Sequence, residues 1–157
     1  MAYYLNPKRR QPQFFVRLLI KYFTKLGFKN IDYYYVHGEG RGNVVKLGTG
    51  VSLCDAVLNI SSGSISIGQD TIFGHGVMVL TGFHQFYEGT LAKLSANREI
   101  PEVPNSGFDI SIGSGCFIGS RAIILKGVRI GNNVIIGAGA IVTKDVPDGA
   151  IYFGLPK

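Results

Sequence analysis

Three side chains in this sequence can exchange a proton near neutral pH: His37, His75 and His84. His84 is singled out by where it falls. It ends the run Val77-Met78-Val79-Leu80-Thr81-Gly82-Phe83-His84, at the point where a regular aliphatic pattern gives way to an aperiodic stretch. His37 and His75 carry no such mark and are read as structural or surface histidines. The two cysteines, Cys54 and Cys116, offer no disulfide framework and are read as reduced packing residues.

The pattern that must position His84 is clearest from Ile112 to Val146. An aliphatic residue returns there at every sixth place: Ile112, Ile118, Ile124, Ile130, Ile136 and Val142. Four places after each sits a small residue or a valine, at Cys116, Ala122, Val128, Val134, Ala140 and Val146, and glycine follows the aliphatic residue at Gly113, Gly119, Gly131 and Gly137. No helix has this period. A six-residue unit fits a short strand whose side chains alternate, so that Cys116 and Ile118 both point inward, followed by a corner. Glycine after the aliphatic residue is expected there because it reaches backbone angles that crowd other residues. Three such sides close a coil, and stacked coils bury a ladder that no single unit could bury. The expected fold is all-β, a parallel β-helix of triangular section.

These residues resemble the hexapeptide-repeat acyltransferases, and the likeness runs over roughly Ile67 to Lys157. The resemblance implies a left-handed parallel β-helix. Period alone gives the coil and not its hand, since parallel crossovers are right-handed in almost all proteins. In galactoside- and maltose-type O-acetyltransferases and in xenobiotic acetyltransferases the catalytic histidine stands at the junction that His84 occupies. Its neighbours here read Thr81-Gly82-Phe83-His84, where some relatives have Thr-Gly-His. The resemblance therefore implies that His84 is the general base. An alcohol is a poor nucleophile at neutral pH, and removing its proton as it attacks a thioester contributes about 10² to 10⁴ in rate. A backbone N–H near the corner would hold the oxyanion.

The segment Ile136 to Pro147 resembles the family's coenzyme A segment. Small residues at Ala138 and Gly139 let a pantetheine arm lie against the coil, and Lys144 can meet a phosphate as a point charge. Ser120 and Thr143 fall on family positions that contact the coenzyme. The implied donor is acetyl-CoA and the implied acceptor a sugar or polysaccharide precursor. The implied assembly is a homotrimer, which would also cover the apolar flanks of a lone coil. A zinc-dependent branch of the family needs three coil histidines, two of them close in sequence, and His37, His75 and His84 lack that spacing, so no metal is expected. Two alternatives stand beside O-acetyl transfer: N-acetylation of a nucleotide-linked amino sugar, and a non-catalytic β-helix scaffold subunit. Relatives of the first kind often add a nucleotide-binding domain, and the second would need neither His84 nor Thr143-Lys144.

The chain of 157 residues divides into an N-terminal segment, residues 1–46, and the repeat domain, residues 47–157, with a loop insertion over about 83–109. Hexads begin at Leu47 and Leu53, lose register near Asn59 to Gly63, and resume at Ile67, so an irregular corner is expected around Ser61 to Ser64. The net charge of +6 is uneven: residues 1–30 carry +7 and the remainder −1. Within the basic part, residues 13–26 read as an amphipathic α-helix, with Phe15, Leu18, Leu19, Tyr22, Phe23 and Leu26 on one side and Arg17, Lys21 and Lys25 on the other. The favoured reading is a cap over the open end of the coil. A compatible one is peripheral contact with an anionic membrane. Nucleic acid is not an expected partner, because the charges ride a hydrophobic helix without a recognised motif. No apolar run reaches the length that spans a bilayer and no signal-peptide core is evident, so the expected location is cytoplasmic, with the inner membrane face as the peripheral site.

Overall fold

The computed structural model describes residues 34–87, 89–91 and 102–154, with residues 18, 19, 21, 22 and 25. These last five have helical backbone, and Leu18, Leu19 and Tyr22 are exposed. No helical element is among those described, and the other residues of the α-helix expected over residues 13–26 lie outside the described residues. No described helix is long and apolar enough to cross a membrane.

Short strands make up the coil, none longer than three residues. In chain order they are β1 (Tyr35–His37), β2 (Val45–Leu47), β3 (Val57–Asn59), β4 (Ile65–Ile67), β5 (Ile72–Phe73), β6 (Met78–Leu80), β7 (Phe86–Tyr87), β8 (Thr90–Leu91), β9 (Ile110–Ile112), β10 (Phe117–Ile118), β11 (Ile123–Leu125), β12 (Arg129–Ile130), β13 (Ile135–Ile136), β14 (Ile141–Val142) and β15 (Ile151–Tyr152). Side A of the prism is β1-β3-β6-β11-β14, side B is β2-β4-β9-β12, and side C is β5-β10-β13-β15. Every pairing within these sides is parallel, so the chain steps from A to B to C and rises by one layer per circuit. β1 and β2 are already paired into sides A and B, so the coil begins before the first expected hexad, which starts at the last residue of β2, Leu47.

The alternation expected within each hexad is what fills the interior. Cys116 with Ile118, Ala122 with Ile124, Val128 with Ile130, Val134 with Ile136 and Ala140 with Val142 are all buried. Burying one such aliphatic side chain fully contributes about 1.5–3 kcal/mol. Cys116 therefore sits where its size fits, and no disulfide joins it to Cys54. The irregular corner is also present: Ile60, Ser61, Ser62 and Gly63 are all buried between β3 and β4.

The reason for glycine after the aliphatic residue is not the one expected. Gly113, Gly119, Gly131 and Gly137 do not have positive φ. They are glycines because a Cβ would run into the next layer: Gly113 into the Gly131 carbonyl, Gly119 into the Ala138 nitrogen, Gly131 into Asp148 and Gly137 into the Phe153 ring. Their N–H groups stitch the layers together, Gly113 donating to Ile130 O at 2.9 Å and Gly119 to Ile136 O at 2.7 Å. The left-handed backbone falls two places later, at Gly115, Arg121, Gly127, Asn133 and Gly139. That place has open space beside Gly127 and Gly139, and it accepts Arg121 and Asn133 with φ of 59° and 54°.

Beyond β6 the chain leaves the prism at the corner between sides A and B. β7 and β8 form an antiparallel hairpin, and residues 102–109 bring the chain back to β9. The base of the excursion is clasped by Phe83 and Phe108, whose rings meet edge-on at 4.7 Å, with Lys126 Nζ 3.0 Å from the Phe83 ring centre. Outside the prism, side B shows polar residues in register: Lys46, Ser66, Ser111 and Arg129. The other two sides each carry an apolar outer row, with Tyr35, Val57, Met78, Ile123 and Ile141 aligned on side A. Ile72, Phe117, Ile135 and Ile151 align on side C.

The two glycine roles separate experimentally. Gly119→Ala should lower stability by about 1–3 kcal/mol, because backbone at the next layer cannot move aside. Gly127→Asn should stay within about 0.5 kcal/mol. Urea unfolding of both variants checks this; equal midpoints would refute the steric explanation.

Candidate active site at the A–B corner

The corner that leads to His84 is held from beneath. Thr81 is buried, donates its hydroxyl to Asn59 O at 2.8 Å and accepts the Ser62 N–H at 3.2 Å. At Gly82 the chain crosses directly over Asn59 and Ser61, too closely for a Cβ. Phe83 is then clasped as described, and His84 emerges with its side chain 57% exposed. An aperiodic loop thus begins from a fixed point, because the residues preceding it belong to the stacked prism.

The returning limb supplies the partner. Glu102 O accepts the Gln85 N–H at 3.0 Å, and Glu102 Oε1 lies 3.2 Å from His84 Nδ1. An ionised carboxylate only accepts, so this contact favours the tautomer with the proton on Nδ1 and leaves Nε2 with a free lone pair. That arrangement suits a general base oriented by a carboxylate. Both groups are substantially exposed, 57% for His84 and 45% for Glu102, so their attraction is worth little as stability. Its value is orientation.

His84 opens onto a cleft of about 520 Å³ lined by His37, Arg41, Asn59, Ser61, Gly82, Phe83, Glu102 and Val103. The volume is in the range of small-molecule sites. His37 and Asn59 are cross-strand neighbours at the ends of β1 and β3. Spacing alone does not place His37, Arg41, Asn59 or Glu102 here. Asn59 is a polar residue in the place that Leu80 takes in the next layer, and that substitution in the pattern is the one signal available. Glu102 lies in the aperiodic loop, where spacing says nothing about contact.

Other expected site residues fall on two different corners. Thr143 and Lys144 are exposed where the chain turns from side A to side B, the same corner as His84. Ser120 and Ala138 are exposed where side C turns into side A. Ser120 Oγ there accepts the His75 N–H at 3.2 Å, and His75 Nδ1 stands 3.5 Å from Asp55 Oδ1. One chain therefore sets these residues along the two edges of side A and does not bring them together. His75 and His84 are likewise on different corners.

A family profile described as "Hexapeptide repeat of succinyl-transferase" matches residues 109–144. The galactoside O-acetyltransferase of Lactococcus lactis is 32% identical over 151 residues, which cover 93% of this chain and 66% of that protein. The putative acetyltransferase YvoF of Bacillus subtilis is 34% identical over 92 residues, 59% of this chain and 44% of that one. The chain thus spans less than two thirds of the length of these curated relatives. Among solved structures, a galactoside acetyltransferase in complex with coenzyme A is 27% identical with a TM-score of 0.59, over 81% of this chain and 56% of that one. Repeat, fold and relatives agree, and the chain belongs to the hexapeptide-repeat acetyltransferase family.

Proposed function

We propose that this protein, folded as a left-handed coil, transfers an acetyl group from acetyl-CoA to a hydroxyl of a sugar or saccharide precursor. The observation that carries the reading is His84 held by Glu102 at the mouth of an open cleft. The acceptor hydroxyl gives its proton to His84 Nε2 while its oxygen bonds to the acetyl carbonyl carbon. The C–S bond then breaks, and the imidazolium returns the proton to the departing sulfur. An amine acceptor needs less help from a base, so an oriented imidazole favours a hydroxyl.

Coenzyme A fits the residues present. Ala138 and Gly139 are exposed, and the space beside Gly139 is open. Lys144 is exposed, and no described carboxylate pairs with it. The solved galactoside acetyltransferase of similar fold holds coenzyme A, and the maltose O-acetyltransferase of Clostridium difficile 630, 25% identical with a TM-score of 0.52 over 78% of this chain and 62% of its own, names a second sugar acceptor.

A homotrimer completes the groove. Three prisms that turn side A toward a common axis set the A–B corner of each beside the C–A corner of the next. Thr143 and Lys144 of one chain then face Ser120 and Ala138 of its neighbour. Side A has the apolar outer row such packing needs, Tyr35, Val57, Met78, Ile123 and Ile141, and the ring closes by rotation.

Thiol release from acetyl-CoA across a panel of sugars and amino sugars tests the reaction. His84→Ala should lower kcat by about 10² to 10⁴, and unchanged turnover would remove His84 from the mechanism. A carboxylate that orients a buried imidazole is worth up to about 10⁴; with this pair exposed, Glu102→Ala should cost roughly tenfold in kcat, and no loss would show the contact to be idle. Ile123→Lys should shift the mass in solution from trimer to monomer and lower activity with it. A trimer that survives this change would place the interface elsewhere.

A further inference from the structure

Arg41 is the cation on the cleft that acetyl transfer as described leaves unused. It lies in the corner between β1 and β2, and its guanidinium is fixed by Nη1, which donates to Asn105 Oδ1 at 2.8 Å and to Val103 O at 3.3 Å. Both acceptors are neutral. Among the described residues the ion pairs are His75 with Asp55 and His84 with Glu102, so no described carboxylate neutralises Arg41, and the one acid lining the cleft is engaged with His84.

A guanidinium carries five N–H donors in a planar fork that matches carboxylate and phosphate oxygens. Held through one nitrogen by neutral oxygens, it keeps its full charge and presents its remaining donors already ordered, which lowers the cost of binding. Fastening the loop does not by itself explain an arginine here. Asn43 already ties the same limb, donating to Asn105 O at 2.8 Å and to Ile60 O at 2.8 Å, with an uncharged amide. Among the described residues lining the cleft, Arg41 is the one side chain with a fixed positive charge, and the carboxylate there, Glu102, stands against His84.

We propose that Arg41 binds the acceptor, and that the acceptor carries an anionic group, a phosphate or a carboxylate, away from its reacting hydroxyl. This rests on the acetyl-transfer reading above. A charge-assisted bond to an arginine should tighten binding roughly ten- to a hundredfold over the neutral parent sugar. Because Arg41 is exposed, the preference should shrink as ionic strength rises.

The test is titration calorimetry with glucose, glucose 6-phosphate and glucuronate, on the full chain and on R41Q and N105A. Glucose 6-phosphate or glucuronate should bind ten- to a hundredfold tighter than glucose, and whichever binds tighter identifies the anion. R41Q should abolish the preference. N105A, which removes one loop bond and keeps the charge, should preserve it. Equal binding of glucose and both anions, a preference that survives R41Q, or one that N105A erases as fully as R41Q would each overturn the proposal. Acetyl transfer to the same sugars is followed in parallel. A preference lost in R41Q with no transfer to any acceptor would uphold Arg41 as an anion-binding residue and refute the acetyl-transfer reading instead.

Discussion

At the B–C and C–A corners of this prism the backbone of one layer touches the backbone of the next, and that contact sets the terms for everything else. Gly113, Gly119 and Gly131 can have no side chain because the following layer occupies the space, and their N–H groups are spent on that layer's carbonyls. Strand spacing then fixes the rise per coil at about 4.8 Å. With the rise fixed, the interior has room for one large and one small apolar side chain per side, as in Ile124 with Ala122 and Ile118 with Cys116. The hexad is the sequence form of a stacking requirement.

A stack built this way can release chain only at a corner. The long excursion leaves after Thr81 and returns at Asp109, and β9 pairs with β4 as if nothing intervened, Ile65 opposite Ile110 and Ile67 opposite Ile112. The coil is therefore a rigid shelf, and the loop is a limb strapped across its edge. Asn43 and Arg41 hold Asn105, Ser62 O accepts the Phe108 N–H, and Asp109 accepts the Ser64 N–H. Those ties hold the returning limb, and with it Glu102, against the corner. An exposed carboxylate can orient an exposed imidazole here because the limb that carries it is tied to the coil.

Most of the prism was legible because periodicity reports burial directly. The spacing of Ile112 to Val142 gave sides and corners, and the lapse near Asn59 marked the irregular corner that Ile60 to Gly63 form. The role of the glycines was not legible, since sequence shows that a side chain is missing and not whether torsion or a neighbour forbids it. His84 could be found because it sits at a boundary of the pattern. Glu102 and Arg41 could not, because they reach the cleft through a loop and a lead-in whose paths no period encodes. Ser120, Ala138, Thr143 and Lys144 read as one groove along the chain, yet in one chain they occupy two edges of side A; the proposed trimer would bring them together between copies.

The most direct measurement is a crystal structure of the protein grown with coenzyme A and a sugar acceptor. The expected result is an acceptor hydroxyl about 3 Å from His84 Nε2, with the pantetheine arm passing Ala138 of one chain and Thr143 and Lys144 of another. Coenzyme A bound away from both corners, or an acceptor that leaves His84 untouched, would contradict acetyl transfer at this site.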